Sequence, residues 1–205
     1  MIFQNLLRIT ASYKFNIITI IFFELLFIIK GYRGNKLNFT GTKKMSDNIP
    51  CPYYFLFKIK KILKKNEFNR FLDLGCGSGR TIDFFNKNFK NKEFIGIEFF
   101  FDQYNFSKKL FESKKNIKII QKDFTDLDFI KYDSDCLFLN NPFKNEYESI
   151  EFLQKIISSS KFKKNILIIT VNYNKNLIAK LNNIKLLDSY YINEIKGYSV
   201  LRLNE

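Results

Sequence analysis

The chain of 205 residues predicts an α/β fold: a doubly wound, seven-stranded sheet that is mostly parallel, with an antiparallel C-terminal strand and extra helices at the N-terminus. Two observations support this prediction. From Phe68 onward, short apolar runs with strand character alternate with amphipathic helical segments, which is the pattern of repeated β-α units. A block of alternating glycines lies between the first strand and the first helix of that series. Ligands of such sheets bind at the carboxyl ends of the strands, so candidate functional residues are expected there.

The predicted elements follow from hydrophobic periodicity. Strands are predicted at residues 70–74, 93–98, 116–121, 134–139, 165–171, 184–192 and 198–203. Helices are predicted at residues 53–63, 80–88, 102–113, 145–158 and 176–182. The last two strands are close enough in the chain to pair antiparallel.

Residues 1–45 are predicted to form an N-terminal apolar helix and a linker, and residues 46–205 a single domain. The apolar stretch at 15–29 is about fifteen residues long, shorter than the roughly 20 that span a bilayer, and Glu24 interrupts it. We therefore expect a helix that packs on the domain or lies in a membrane interface, with Lys14, Lys30 and Arg33 at its ends, and a transmembrane span is the third alternative. The second alternative would make residues 9–30 a peripheral membrane contact.

Composition excludes several kinds of chemistry. The chain has no histidine, which removes histidine general bases and Ser-His-Asp triads. Cys51, Cys76 and Cys136 are widely spaced without a C-x-x-C pair, so we expect no disulfide framework, no metal and a reducing, cytoplasmic location, with or without membrane association. The net charge of +14 fits a phosphate-rich partner, an acidic partner or an anionic membrane, but it also fits a general lysine-rich composition.

The glycine block is the most informative motif. Its order is Asp73, Leu74, then Gly75, Gly77 and Gly79 separated by single residues. Glycine suits turns that need positive φ or close approach of a ligand to the main chain. The pattern is G-x-G-x-G rather than the G-x-G-x-x-G of dinucleotide sites, and a carboxylate this close would repel a pyrophosphate but attract an ammonium or sulfonium. A tight turn without a ligand is the alternative.

This block resembles motif I of the class I S-adenosyl-L-methionine (SAM) dependent methyltransferases, whose sheet is Rossmann-like. The resemblance spans about residues 46–203 and implies SAM as cofactor, with its methionyl end held by Asp73, Gly75, Cys76, Gly77 and Gly79. Glu98 ends the second strand about 20 residues beyond the glycines, where ribose-binding acids lie in Rossmann-like folds. By the same resemblance, Asp123 and Phe124 are expected to hold the adenine.

The fourth predicted strand ends in Asn140-Asn141-Pro142-Phe143. This resembles the (Asn/Asp)-Pro-Pro-(Tyr/Phe) motif of methyltransferases that act on nitrogen, although Asn141 occupies the first proline position. The resemblance implies that Asn140, Pro142 and Phe143 orient an acceptor nitrogen. A plainer interpretation is that Asn140 only lines the cofactor pocket and Pro142 ends the strand. The same region is similar to small bacterial methyltransferase-domain proteins and, more distantly, to the non-SET histone-lysine methyltransferases.

Three functional hypotheses follow. The first is a SAM-dependent methyltransferase that modifies nitrogen of a protein or nucleic-acid acceptor. The second is a methyltransferase of a small or lipid-associated molecule at a membrane surface, and the third is a SAM-binding protein without catalysis. If the acceptor is a lysine, it must lose a proton, and Tyr53, Tyr54 or a carboxylate is the candidate base.

Overall fold

The computed structural model describes residues 9, 13, 17–32, 49–126, 129–158 and 165–204. Its strands are β1 (Arg70–Leu74), β2 (Glu93–Glu98), β3 (Ile117–Gln121), β4 (Cys136–Asn140), β5 (Leu167–Val171), β6 (Ile184–Tyr191) and β7 (Gly197–Leu203). They form one seven-stranded sheet in the order β3-β2-β1-β4-β5-β7-β6. All neighbouring pairs are parallel except those of β7, which runs antiparallel to both β5 and β6. The predicted mostly parallel sheet with an antiparallel C-terminal strand is confirmed.

The helices are α1 (Ile17–Ile29), α2 (Tyr53–Leu63), α3 (Arg80–Asn88), α4 (Phe101–Phe111), α5 (Glu146–Ser158) and α6 (Lys175–Ile178), and Phe124–Asp126 and Phe129–Tyr132 are 3₁₀-helices. Three predicted helices differ from these, and the one predicted at 145–158 begins one residue later, at Glu146. The helix predicted at 102–113 begins one residue earlier and ends at Phe111. The helix predicted at 176–182 begins at Lys175, because the Asn174 side chain accepts the N–H of Asn176 at 2.9 Å and so caps it one residue earlier. It ends at Ile178, and Asn183 then adopts a left-handed φ of 60°.

Both faces of the sheet are covered, as strand periodicity requires. Along β1, Phe71 faces one apolar cluster and Leu72 the other. The cluster of Phe71 includes buried residues of α1, α2 and α3, and the cluster of Leu72 includes those of α5. The carboxyl ends of β1, β2 and β4 therefore open between two helical layers, where the sequence predicts the site.

Helix α1 packs on the domain through Ile20, Glu24 and Phe27, which are all buried. This is one of the three placements that the sequence left open. No helix in the described part of the chain is both long and apolar enough to cross a bilayer. The predicted domain boundary at 45/46, Lys14 and Arg33 lie outside the described residues, and so does most of the predicted linker. Pro50, Cys51 and Pro52, near the start of the predicted domain, are buried.

Candidate functional site

The turn between β1 and α3 takes the shape that its glycines allow. Gly75, Gly77 and Gly79 have φ values of 82°, 55° and 81°, all in the left-handed region. The N–H groups of Gly75 and Cys76 both donate to the Ile97 carbonyl at 2.9 Å. The turn therefore folds over the carboxyl end of β2 and brings the glycine block against Glu98.

Gly79 also has no room for a side chain. A Cβ at this position would lie 2.5 Å from Cε2 of the buried Phe111 ring. We expect Gly79→Ala to lower the free energy of unfolding by about 2–4 kcal/mol, because the left-handed φ and the overpacking both cost energy. Chemical denaturation measures this. Gly31→Ala is the matched control: its φ is 72° with nothing within 4 Å of the added Cβ, so it should cost only the backbone term of about 1 kcal/mol. Equal losses for the two variants would contradict the steric argument.

Two carboxylates lie at the ends of β1 and β2. Asp73 is buried, and its Oδ2 has no hydrogen-bond partner among the described residues. Burial, and then the nearby Glu98 charge, raise the pKa of Asp73 well above its usual range. Glu98 accepts the N–H of Gly77 through Oε2 at 2.7 Å and the N–H of Phe100 through Oε1 at 2.8 Å. Burial raises the pKa of Glu98 as well, although these backbone bonds oppose the shift.

Asp123 and Phe124 follow β3 in the chain. Asp123 Oδ1 accepts the backbone N–H of Thr125 at 2.9 Å and its hydroxyl at 2.7 Å, so this carboxylate caps a 3₁₀-helix. The Phe124 ring lies 3.8 Å from the position of a Cβ on Gly75. Phe124 is thus placed beside the glycine block. Its role toward an adenine, like that of Asp123, stays a prediction.

Phe143 lies in an aromatic trio rather than open to solvent. It is buried and packs edge-on against Phe124 at 5.9 Å and Phe152 at 5.6 Å between ring centroids. Asn141, in the first proline position of the motif, has a φ of 33° and accepts the Ser149 hydroxyl at 3.0 Å. Phe143, the aromatic residue of the motif, therefore contacts Phe124 in this structure. Its stacking on an acceptor stays a prediction.

Asn140 is fixed by a chain of hydrogen bonds that the sequence did not reveal. Its Nδ2 donates to the Ile49 carbonyl at 2.8 Å, and its Oδ1 accepts from Asn172 Nδ2 at 3.0 Å. The Asn172 Oδ1 in turn accepts the hydroxyl of buried Tyr13 at 2.8 Å. An amide carries two N–H donors and two oxygen lone pairs, so Asn140 keeps one of each for a further ligand.

A small cavity joins the ends of β1 and β4. It is lined by Ile49, Pro50, Cys51, Asp73, Gly75, Cys76, Ser78, Arg80, Thr81, Phe138 and Asn140. The structure therefore brings Asp73, Gly75, Cys76 and Asn140 to one cavity. The other predicted site residues lie outside its lining: Gly77, Gly79, Glu98, Asp123, Phe124, Pro142 and Phe143. The enclosed volume of about 30 Å³ is close to the share of one water molecule in the liquid. Residues 49–51 form part of the wall of this cavity.

The first residue of α3 connects the site to the N-terminal helix. Arg80 is buried, and its Nη2 forms an ion pair with Glu24 Oε2. Its guanidinium lies 3.8 Å above the Tyr53 ring, and Glu24 Oε1 accepts the Tyr53 N–H at 2.9 Å. Burial alone lowers the pKa of Arg80, but Glu24, together with Tyr53 and Cys51, more than offsets this, and the pKa is raised. The sequence placed Glu24 in the apolar stretch but carried no signal of its partner.

The residues of this site suit SAM by their chemistry. The buried oxygen of Asp73 without a partner suits an ammonium, and Glu98 keeps oxygen lone pairs for hydroxyl donors. Gly75, the exposed residue of the turn, has no side chain between its main chain and a ligand. Among the described residues, no group of three or more His, Cys, Asp or Glu could hold a metal ion.

Comparison with known proteins adds the family. A family model described as a methyltransferase domain matches residues 63–197. No curated protein matches the chain. An RNA methyltransferase from Salinibacter ruber in complex with S-adenosyl-L-homocysteine superimposes with a TM-score of 0.59 at 13% identity, over 76% of this chain and 94% of that one. An S-adenosyl-L-homocysteine-bound methyltransferase from Podospora anserina gives 0.54 at 14% identity, over 75% and 77%. The N,N-8-amino-8-demethyl-D-riboflavin dimethyltransferase of Streptomyces davawensis gives 0.55 at 11% identity, over 74% and 54%.

Proposed function

We propose that this chain methylates a nitrogen atom of a protein or nucleic-acid acceptor. The premise is its family: the chain belongs to the family of methyltransferase domains and is a SAM-dependent methyltransferase of class I. The observation that carries this proposal is that Asn140 and Asp73 line the same small cavity. Asp73 lies at the end of β1 and belongs to the block that resembles motif I. Asn140 lies at the end of β4 and begins the block that resembles the acceptor motif. The group that binds the cofactor and the group that orients the acceptor would then be neighbours.

The division of labour among residues follows from their chemistry. When bound, SAM supplies an activated methyl group on a sulfonium. Asp73 would accept from its ammonium, Glu98 from its ribose hydroxyls, and Asp123 and Phe124 would hold the adenine. The free lone pair of Asn140 Oδ1 would accept from the acceptor nitrogen, with Pro142 and Phe143 shaping that edge of the site. Methyl transfer depends chiefly on alignment, which a doubly hydrogen-bonded amide provides.

The net charge of +14 favours phosphate-bearing or acidic acceptors over neutral ones. Salt-dependent binding to RNA or DNA would support a nucleic-acid acceptor. If the acceptor is instead a lysine of a protein, neither tyrosine that the sequence offered as a base is freely exposed: Tyr53 is buried against Arg80, and Tyr54 is half-buried against Tyr190. A carboxylate stays the third candidate base.

Removal of the Asn140 amide should slow methyl transfer strongly while SAM still binds. We expect Asn140→Ala to lower the rate of methyl transfer by about a hundredfold, because the acceptor loses its alignment, while the affinity for SAM changes much less. The assay is transfer of radiolabelled methyl into a cell lysate that is then separated into protein, nucleic acid and lipid, with calorimetry for SAM binding.

Asn174→Ala is the matched control, since this asparagine caps α6 and bonds Glu146 away from the cavity lining. Label in the protein or nucleic-acid fraction supports the proposal. Label in lipid alone would favour the second candidate, a small or lipid-associated acceptor, which is supported by the exposed apolar face of α1. SAM binding without label in any fraction would leave the non-catalytic SAM-binding protein.

A further inference from the structure

The outward face of α1 is apolar, although α1 lies on the surface of the domain. Ile18, Phe22, Leu25 and Ile29, here called the apolar stripe, recur at helical spacing and are exposed, with 81% of Ile18 and 82% of Ile29 accessible. They lie opposite Ile20, Glu24 and Phe27, which face the core. The core therefore does not account for the stripe, and contiguous exposed apolar surface of this kind marks an interaction site.

Lysines border the same surface. Lys30, Lys60, Lys61 and Lys64, here called the lysine rim, come from the end of α1 and from α2. They are close enough that Lys30, Lys61 and Lys64 lower the pKa of Lys60, after the larger effect of its partial burial. The Nζ atoms of Lys60 and Lys61 each lie 4.8 Å from the Phe57 ring centroid, and that ring lies 5.3 Å from the ring of Phe23 on α1. The acid on α1, Glu24, is buried against Arg80, and α2 carries none.

We propose that α1 and α2 form a docking surface for an anionic lipid membrane, with the apolar stripe inserted at the interface and the lysine rim bound to lipid headgroups. Two weak signals, apolar insertion and a polybasic patch, together give stable peripheral binding. A nucleic acid is a poor match for the apolar stripe, because three of its four side chains are aliphatic and only Phe22 could stack on a base. A second copy of this chain would bring another lysine rim to the same surface. Charge and apolarity together thus favour an anionic membrane. This proposal does not depend on the methyl acceptor.

The test is flotation of the full chain with vesicles of phosphatidylcholine and of phosphatidylcholine mixed with phosphatidylglycerol. We expect binding to the anionic vesicles that weakens with salt and little binding to the neutral ones. Phe22→Ser should lower the partition coefficient at least about tenfold, from the lost apolar burial. Lys61→Gln combined with Lys64→Gln should lower it about fivefold for each lysine.

Matched controls lie outside the apolar stripe and the lysine rim. Leu186→Ser removes an exposed leucine of edge strand β6, and Lys108→Gln with Lys109→Gln removes two exposed lysines of α4. Both controls should bind anionic vesicles like the unchanged protein, and every substituted residue is on the surface, so thermal melting should show all of them folded. The proposal is overturned if the protein does not float with anionic vesicles or if controls and test variants lose binding equally. It is also overturned if Phe22→Ser changes only the oligomeric state in light scattering, or if the lysine variant loses only binding to a single-stranded RNA oligonucleotide.

Discussion

Asp73→Asn should weaken SAM binding by at least about thirtyfold, because truncating one partner of a buried charged pair costs about 2–5 kcal/mol. The substitution keeps the shape of the side chain and removes only its charge. The carboxylate is buried at the end of β1, and its Oδ2 has no partner in the described part of the chain. An ammonium from the ligand would satisfy that oxygen, and a neutral amide would not attract it.

The same substitution should leave the unliganded protein at least as stable at neutral pH. Burial and the Glu98 charge hold the pKa of Asp73 well above its usual range, so the ionised form is costly in the folded state. The raised pKa of Asp73 stabilises the folded state fully below the ordinary aspartate pKa of about 3.9, and this stabilisation is lost as the pH rises through the raised value. The Asp73→Asn side chain cannot ionise, so the variant does not lose stability in this way. Weaker binding by a protein that is not destabilised cannot be attributed to unfolding.

The affinity of the unchanged protein for SAM should rise with pH. A bound ammonium requires ionised Asp73, so binding lowers the pKa of Asp73 and releases a proton. The rise should cover the window between the pKa of Asp73 in the complex and its raised pKa in the free protein. Asp73→Asn should keep only the smaller slope due to Glu98, whose pKa is also raised by burial. Calorimetry at a series of pH values measures both slopes.

Asp83→Asn provides the control, because Asp83 is also a buried acid near the glycine turn but pairs with Lys87 at 3.0 Å. Its SAM affinity should be close to that of the unchanged protein. Unchanged affinity in Asp73→Asn, or an equal loss in both variants, would remove Asp73 from the cofactor site.

The parts of this molecule that the sequence predicted are governed by local rules. The turn at Gly75–Gly79 needs left-handed backbone, and the alternation of Phe71, Leu72 and Asp73 sets which side chain faces which layer. Strands β1 and β2 and helices α2 and α3 have the predicted bounds. The parallel sheet then follows from the β-α repeat.

The parts that the sequence did not predict join distant segments. In the sequence Glu24 only interrupts an apolar stretch, whereas its partner Arg80 is supplied by the tertiary fold. The support of Asn140 likewise comes from Ile49 and Asn172, which belong to separate elements. No periodicity encodes such pairs, because they depend on which surfaces the sheet brings together.

The Glu24–Arg80 pair gives the largest expected change in stability. Glu24→Ala should lower the free energy of unfolding by about 3–5 kcal/mol, because it leaves a buried guanidinium without its counter-ion. It also removes the acceptor of the Tyr53 N–H at the start of α2. Chemical denaturation measures the loss, and limited proteolysis shows whether α1 detaches from the domain first.

Leu25→Ala, at the exposed neighbouring position, is the control and should change stability by less than about 1 kcal/mol.

The double variant Glu24→Leu with Arg80→Leu separates charge from packing, since replacing both members of a buried pair by apolar side chains is often neutral or stabilising. It should therefore be more stable than Glu24→Ala. Because Arg80 lines the cavity beside Asp73, SAM binding by this double variant also tests whether the N-terminal helix contributes to the cofactor site. A loss of less than about 1 kcal/mol in Glu24→Ala would mean that the ion pair adds little to holding α1 on the domain.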